Sequence, residues 1–130
     1  MGEREPVSSA DAPTAVGPYS QAIRHGQTLY CSGALPIDQK SGEIVDSTLA
    51  EETEHCLRNL ASICREAGAD LEDAVRLSVY TTDMGGFDEI NGAYAGFFAD
   101  EPPARVAIGV AALPKGVRVE IDAVVALGVG

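Results

Sequence analysis

Arginine at position 105 and the acids at 120 and 122 are the residues of this chain best suited by type to chemistry on a small charged molecule. They lie in the stretch PPARVAIGVAALPKGVRVEID, Pro102 to Asp122, where two runs of apolar alternation flank Leu113-Pro114-Lys115-Gly116. Period-2 alternation marks half-buried strands, and a Pro/Gly turn between two such runs predicts a β-hairpin. Centred between Leu113 and Pro114, that hairpin sets Arg105 against Asp122, Ala107 against Glu120 and Gly109 against Arg118, all six on one face. Val106, Ile108, Val110, Val119, Ile121 and Ala123 then take the core side. The expected product is a shallow recess floored by Ala107 and Gly109, with a guanidinium and two carboxylates around it. A guanidinium fork suits bidentate capture of a small carboxylate, and a neighbouring glutamate can hold or activate a water. The same spacing also describes an Arg105–Asp122 surface pair worth under about 1 kcal/mol. A register shift of one residue would put Arg105 and Glu120 on opposite faces.

The elements that must position these residues are readable in chain order. Tyr19 to Ile23 and Thr28 to Ser32 read as short strands around the turn His25-Gly26-Gln27. His25 is expected to be exposed there. Thr48 with Glu51 three residues later fits a capping box. From there Leu49, Thr53, Cys56, Leu57, Leu60, Ala61, Cys64 and Ala67 recur at helical spacing, with Gly68 as the stop. Glu51, Glu52, Glu54, Arg58 and Arg65 fall on the expected wet side, and His55 on its boundary with a solvent or structural role. Ala74 to Thr82 reads as a strand. Phe87, Ile90, Ala93 or Tyr94, and Phe97 predict a second helix, stopped by Pro102-Pro103. The order ββ, α, β, α, ββ implies an α+β sandwich: one mixed sheet with both helices on one face. The other face is then bare, with small residues such as Ala107, Gly109 and Ala126, so assembly of copies through the sheet is expected.

At 130 residues the chain suits one domain with a real core and is short for two. Its formal net charge of −11 argues against a nucleic-acid surface, which needs clustered Lys and Arg. A small anionic substrate remains open, because one well-placed arginine sets a local potential. Cys31, Cys56 and Cys64 are odd in number and lack CxxC spacing, so neither a zinc site nor a disulfide framework is expected, and a reducing cytoplasm is. Cys56 and Cys64 read as core packing. No apolar run approaches the ~20 residues of a membrane span. The polar, acidic start MGEREPVSSADAPT does not read as a secretion signal. Residues 1–11 are expected as a flexible leader and 12–130 as the single domain.

GPYSQA at Gly17 to Ala22, CSGALP at Cys31 to Pro36, SGEIV at Ser41 to Val45 and PPAR…LPKGVRVEIDAV at Pro102 to Val124 together resemble the reactive-intermediate deaminase (RidA, or YjgF) family. The likeness runs from about Ala12 to Leu127, and the joint order of the motifs is more specific than any one of them. The resemblance implies a chorismate-mutase-like α+β fold and homotrimers with ligand clefts between subunits. It also implies cofactor-free and metal-free hydrolysis of enamines and imines, such as 2-aminoacrylate and 2-iminobutanoate, to 2-keto acids and ammonia. By motif, Arg105 grips the substrate carboxylate and Glu120 holds the attacking water, helped by a main-chain carbonyl near Ala107. Tyr19, Ser32 and Gly33 line the same cleft from a strand edge of the adjacent subunit, and Asn91 is structural. Many relatives have Ser-Cys where this chain has Val106-Ala107, and Gln where it has Ala34, which bears on substrate preference. A non-catalytic trimer that binds small carboxylates such as 2-keto acids is the alternative reading; ribonuclease action is disfavoured by the acidic balance.

Overall fold

Thr48 opens the long helix as the capping motif requires, its Oγ1 accepting from the Glu51 N–H at 3.1 Å. Glu51 itself reaches the Ser47 hydroxyl, so only half of the reciprocal box forms. The helix ends where Gly68 takes a left-handed φ of 83° and the Ala69 N–H returns to the Cys64 carbonyl. The computed structural model describes residues 3–128. Its elements are β1 (Glu5–Val7), β2 (Ala22–His25), β3 (Thr28–Ala34), α1 (Leu49–Glu66), β4 (Ala74–Thr81), α2 (Phe87–Ala95), β5 (Ala104–Gly109) and β6 (Val119–Ala126).

The six strands form one mixed sheet in the order β1-β2-β3-β6-β4-β5. Only β4 and β5, joined through α2, run parallel; every other neighbouring pair is antiparallel. Both helices pack on one face. There Leu57 and Leu60 of α1 and Ile90 of α2 meet Leu29, Leu77, Val79, Val119, Ile121 and Val125 of the sheet in one fully buried core. Cys31, Cys56 and Cys64 all lie in it. The opposite face carries Ile23, Tyr30, Val124, Val106 and Ile108, of which Tyr30 and Ile108 are exposed, and among the described residues no element covers it.

Three expectations need correction. First, β5 and β6 are not a hairpin: β4 lies between them, parallel to β5 and antiparallel to β6, and Pro114–Gly116 forms a tight turn between separated strands, with Lys115 at φ 59° and Gly116 at φ 72°. Alternation reports that a segment is half-buried but not which strand lies beside it. The largely buried strand β4 takes a slot with neighbours on both edges. Second, Glu5–Val7, inside the stretch expected as a leader, pairs with Arg24, Ile23 and Ala22 as β1. Gln21 secures this segment, its Oε1 accepting from the Ser9 N–H at 2.7 Å and its Nε2 donating to the Pro13 carbonyl at 2.8 Å. Third, Glu52 is buried rather than wet, because Arg118 reaches its carboxylate at 2.7 Å and the Ser47 carbonyl at 2.8 Å. That contact ties the start of α1 to the approach to β6.

Candidate active site

The strand order divides the expected recess into two places. Because β4 separates them, Leu77, Val79 and Thr81 of β4 pair with Arg105, Ala107 and Gly109 on one side and with Ala123, Ile121 and Val119 on the other. These residues share the helix face. Ser78 and Tyr80 pair with Val106 and Ile108, and with Asp122 and Glu120, on the open face. Arg105 and Glu120 therefore point to opposite sides of the sheet. They are also two strand spacings apart across it, roughly 10 Å, and about three residues, roughly 10 Å, apart along it. No small substrate touches both within one chain. Ala107 packs against the core, and Gly109 is covered by Met84, whose Cγ would stand 2.7 Å from a Cβ there. Neither floors an open recess, and Arg118 is engaged with Glu52 rather than free near a turn.

What Arg105 gains in its place is a mount. Phe87, Asn91 and Tyr94 recur at i, i+4 and i+7 on α2, so their side chains share the face turned towards β5. The guanidinium carbon lies 5.2 Å from the centre of the Phe87 ring and 4.9 Å from that of Tyr94, within cation–π range. Its Nη1 donates to Asn91 Oδ1 at 2.8 Å. Tyr94 is buried, its hydroxyl without a hydrogen-bond partner. Burial pushes that phenol up, against a smaller opposite pull from Arg105. Arg105 itself is exposed and, with Asn91, Tyr94, Phe98, Pro102 and Pro103, lines a hollow at the sheet edge. A planar cation held on its faces, with part of its fork turned outward, is prepared for a carboxylate at little further entropic cost. Asn91 thus positions the arginine, a role missed when it was read only as structural. The 87/91/94 spacing was the available signal.

Glu120 sits in a notch built by a β-bulge. Cys31 pairs with Ala123 and Ala34 with Ile121, so Ser32 and Gly33 together stand opposite the single residue Asp122. The missing side chain at Gly33 is what admits the glutamate, since a Cβ there would lie 2.0 Å from Glu120 Oε2. Burial first, and the Asp122 charge second, raise the Glu120 carboxyl above its ordinary value, which makes it a stronger base once ionised. Ser32 and Gly33 also line, with Tyr19 and Gln21, a hollow under the N-terminal segment. There the Ser32 hydroxyl donates to the Ser20 carbonyl at 2.6 Å. Tyr19 is exposed, its Oη accepting from the Val16 N–H at 3.3 Å. Tyr19, Ser32 and Gly33 thus share that hollow, Glu120 adjoins it through Gly33, and Arg105 stands apart from them. Among the described residues no group of three or more His, Cys, Asp or Glu is arranged to hold a metal, and no helix is long and apolar enough to cross a membrane.

The six-stranded mixed sheet with two helices on one face agrees with the comparisons. Residues 9–127 match the family model described as Endoribonuclease L-PSP. A RutC family protein of Sinorhizobium fredii is 52% identical over 123 residues, 95% of this chain and 98% of that one. Human 2-iminobutanoate/2-iminopropanoate deaminase is 42% identical over 125 residues, 96% of this chain and 91% of that one. Among solved structures, RidA from an Antarctic Psychrobacter superposes with a TM-score of 0.91 at 36% identity, covering 95% of this chain and 99% of that one. The yjgF gene product of E. coli gives 0.90 at 33%, covering 94% and 98%. The chain belongs to the RidA/YjgF family, the Endoribonuclease L-PSP family of the matching model. Its function is of the RidA type.

Proposed function

We propose that the protein is a cofactor-independent hydrolytic deaminase of reactive enamines and imines, converting 2-aminoacrylate, 2-iminobutanoate and related 2-imino acids to 2-keto acids and ammonia. The observation that carries this reading is the mounting of Arg105: a guanidinium held between Phe87 and Tyr94 and steered by Asn91 is a carboxylate receptor. The carboxylate is the feature that all these substrates share. Glu120, raised by burial, supplies the base. The deaminase named among the relatives at 42% identity supports the same chemistry.

The active unit is a homotrimer. Arg105 stands at the edge strand β5, far from Glu120 of its own chain, and among the described residues nothing covers the open face of the sheet, with its exposed Tyr30 and Ile108. Packing copies through that face and edge would bring Arg105, with Asn91, of one protomer to the Glu120, Gly33, Ser32 and Tyr19 of its partner. The intersubunit cleft therefore divides differently from the motif expectation, which left Arg105 and Glu120 in one chain. In that cleft the protonated imine is already an electrophile, so the work is orientation and removal of bulk water. Water adds to the C=N carbon while Glu120 accepts its proton. Glu120 returns that proton to nitrogen, the C–N bond breaks as the hydroxyl gives its own proton to Glu120 and becomes the carbonyl, and ammonia leaves, taking that proton from Glu120 as ammonium. An enamine first takes a proton at its terminal carbon to become the imine.

The endoribonuclease description of the family model is the competing reading, and the charge of −11 with only nine Lys and Arg disfavours a phosphate-tracking surface. The test generates imines in situ from several amino acids with an amino-acid oxidase and follows keto-acid appearance with and without the protein. Acceleration supports the deaminase. Binding of keto acids without acceleration would replace it with a small-carboxylate binder.

A further inference from the structure

Glu120 shares the open face with a second acid whose place is held by a third side chain. Asp122 follows two residues along β6 on the same face. Tyr80 of β4 stands directly opposite Glu120, and Ser78 opposite Asp122. The Tyr80 hydroxyl does not point to its own partner: it reaches diagonally and donates to Asp122 Oδ2 at 3.3 Å. An untethered aspartate beside an exposed surface would turn to water, where solvent and salt screen its charge. The phenol holds Asp122 within one residue pair of Glu120.

Within one chain the surroundings leave that interaction uncompensated; the cation that the proposed cleft adds, Arg105 of a neighbouring protomer, is the one assigned to the substrate carboxylate. On β3 the residues facing this spot are Ser32 and Gly33 of the bulge, which carry no charge, and Tyr30 lies further along, opposite Val124. On β4 the next open-face residue beyond Ser78 is the exposed Arg76, again opposite Val124 rather than Glu120. Val106 and Ile108 of β5 are apolar. Beneath the sheet, the neighbours on α1 are the buried thiol of Cys56 and the Arg118-paired Glu52. Arg105 projects from the other face.

We propose that Asp122, tethered by Tyr80, is a positioning residue that strengthens the Glu120 base. The proposal rests on the reading of Glu120 as the group that takes the proton of the attacking water. Once Glu120 has that proton, a fixed negative neighbour favours the neutral carboxylic acid, so the product of proton transfer is stabilised where the unprotonated reactant is not. An isolated glutamate is a weak acceptor near neutral pH. Burial moves it towards the working range, and the fixed Asp122 carboxylate moves it further, without any second catalytic group.

The experiment uses the full chain with Asp122→Asn and Tyr80→Phe. Asparagine keeps the shape and can still accept from Tyr80, so the fold is not at issue, and thermal melting of each variant checks this. Glu120 is titrated by carbon NMR of its carboxyl, which needs no turnover, and keto-acid formation is measured across pH. We expect Asp122→Asn to move the Glu120 titration and the acidic limb of the rate profile together to lower pH. The plateau kcat should fall by roughly 3- to 10-fold, well short of the ~10²–10⁴-fold for losing a general base. Tyr80→Phe should do the same to a smaller extent. A Glu120 titration unchanged in Asp122→Asn overturns the proposal, as does a shifted titration that leaves the rate profile in place. A parent protein that accelerates no imine hydrolysis overturns the underlying base assignment instead, and the turnover-free titration tells the two failures apart.

Discussion

Gly33→Ala is the most economical probe of the candidate site, because the structure separates its effect on catalysis from its effect on folding. A Cβ built at Gly33 meets Glu120 Oε2 at 2.0 Å, Cδ at 2.8 Å and Cγ at 3.1 Å. Contacts under 3.0 Å are essentially absent for real Cβ atoms, so the oxygen must withdraw by at least 3.0 − 2.0 = 1.0 Å. The atoms that must move belong to the end of a flexible side chain facing the open side of the sheet, so the fold loses little. Gly33 does not occupy the left-handed region, and alanine there restricts the unfolded chain, worth about 0.4–1 kcal/mol in favour of folding. A base displaced by about 1 Å costs on the order of 10²-fold in rate. The variant should therefore melt at or slightly above the parent temperature and form keto acid about 100-fold more slowly. Adding Glu120→Asp, which retracts the carboxylate by one methylene, should recover part of that loss, although Glu120→Asp alone is impaired. This non-additivity is the signature of direct contact. Gly33→Ala with the parent rate would refute the claim that the notch positions the base.

Three further outcomes are expected. Glu120→Gln should keep 2-keto-acid binding and lose ~10²–10⁴-fold in turnover. The same variant should report on stability. Because the folded-state carboxyl is raised above 4.5, its contribution is present below the unfolded value and is lost as pH rises through the folded one. Glu120→Gln should then melt with the parent in acid and above it near neutrality, and equal melting at both pH values would contradict the raised carboxyl. Arg105→Ala should abolish deamination with little change in melting, Arg105→Lys should be nearly as impaired because an ammonium cannot reproduce the fork, and Asn91→Ala should raise KM more than it lowers kcat; full activity in Arg105→Ala would remove the carboxylate receptor. Light scattering should give the mass of a trimer at micromolar concentration, and a monomer that still deaminates would show that Arg105 and Glu120 need not come from different chains.

Much of the fold was legible because it is written in local pattern. Thr48, the Leu57/Leu60/Cys64 stripe and Gly68 mark α1 closely. The β4-α2-β5 order implied the parallel pair that is found. β1 escaped because three residues with a proline, Glu5-Pro6-Val7, carry no periodicity, and their pairing with β2 depends on the distant Gln21 anchoring the following loop. Glu52 was placed on the wet side by its type and helical position. Arg118, 66 residues away, decided otherwise.

The candidate site was legible in its residue types and not in its arrangement, and the reason is topological. Alternation in Ala104–Gly109 and Val119–Ala126 states that each strand has two faces. It cannot state that β4, thirty residues earlier in the chain than β5, will be inserted between them. One inserted strand replaces direct pairing by pairing through β4 and moves Arg105 to the face opposite Glu120. The supports of each residue are then non-local in different ways. Arg105 is held by α2, the helix that connects β4 to β5, so its mount follows from the crossover. Glu120 is held by Gly33, whose lack of a side chain matters only because the β3 bulge faces β6. On the proposed reading, with Arg105 as carboxylate receptor and Glu120 as base on separate scaffolds of one chain, the two can act on one small molecule only where two chains meet. The separation that overturned the hairpin is therefore also the strongest physical reason to look for the reaction at an interface.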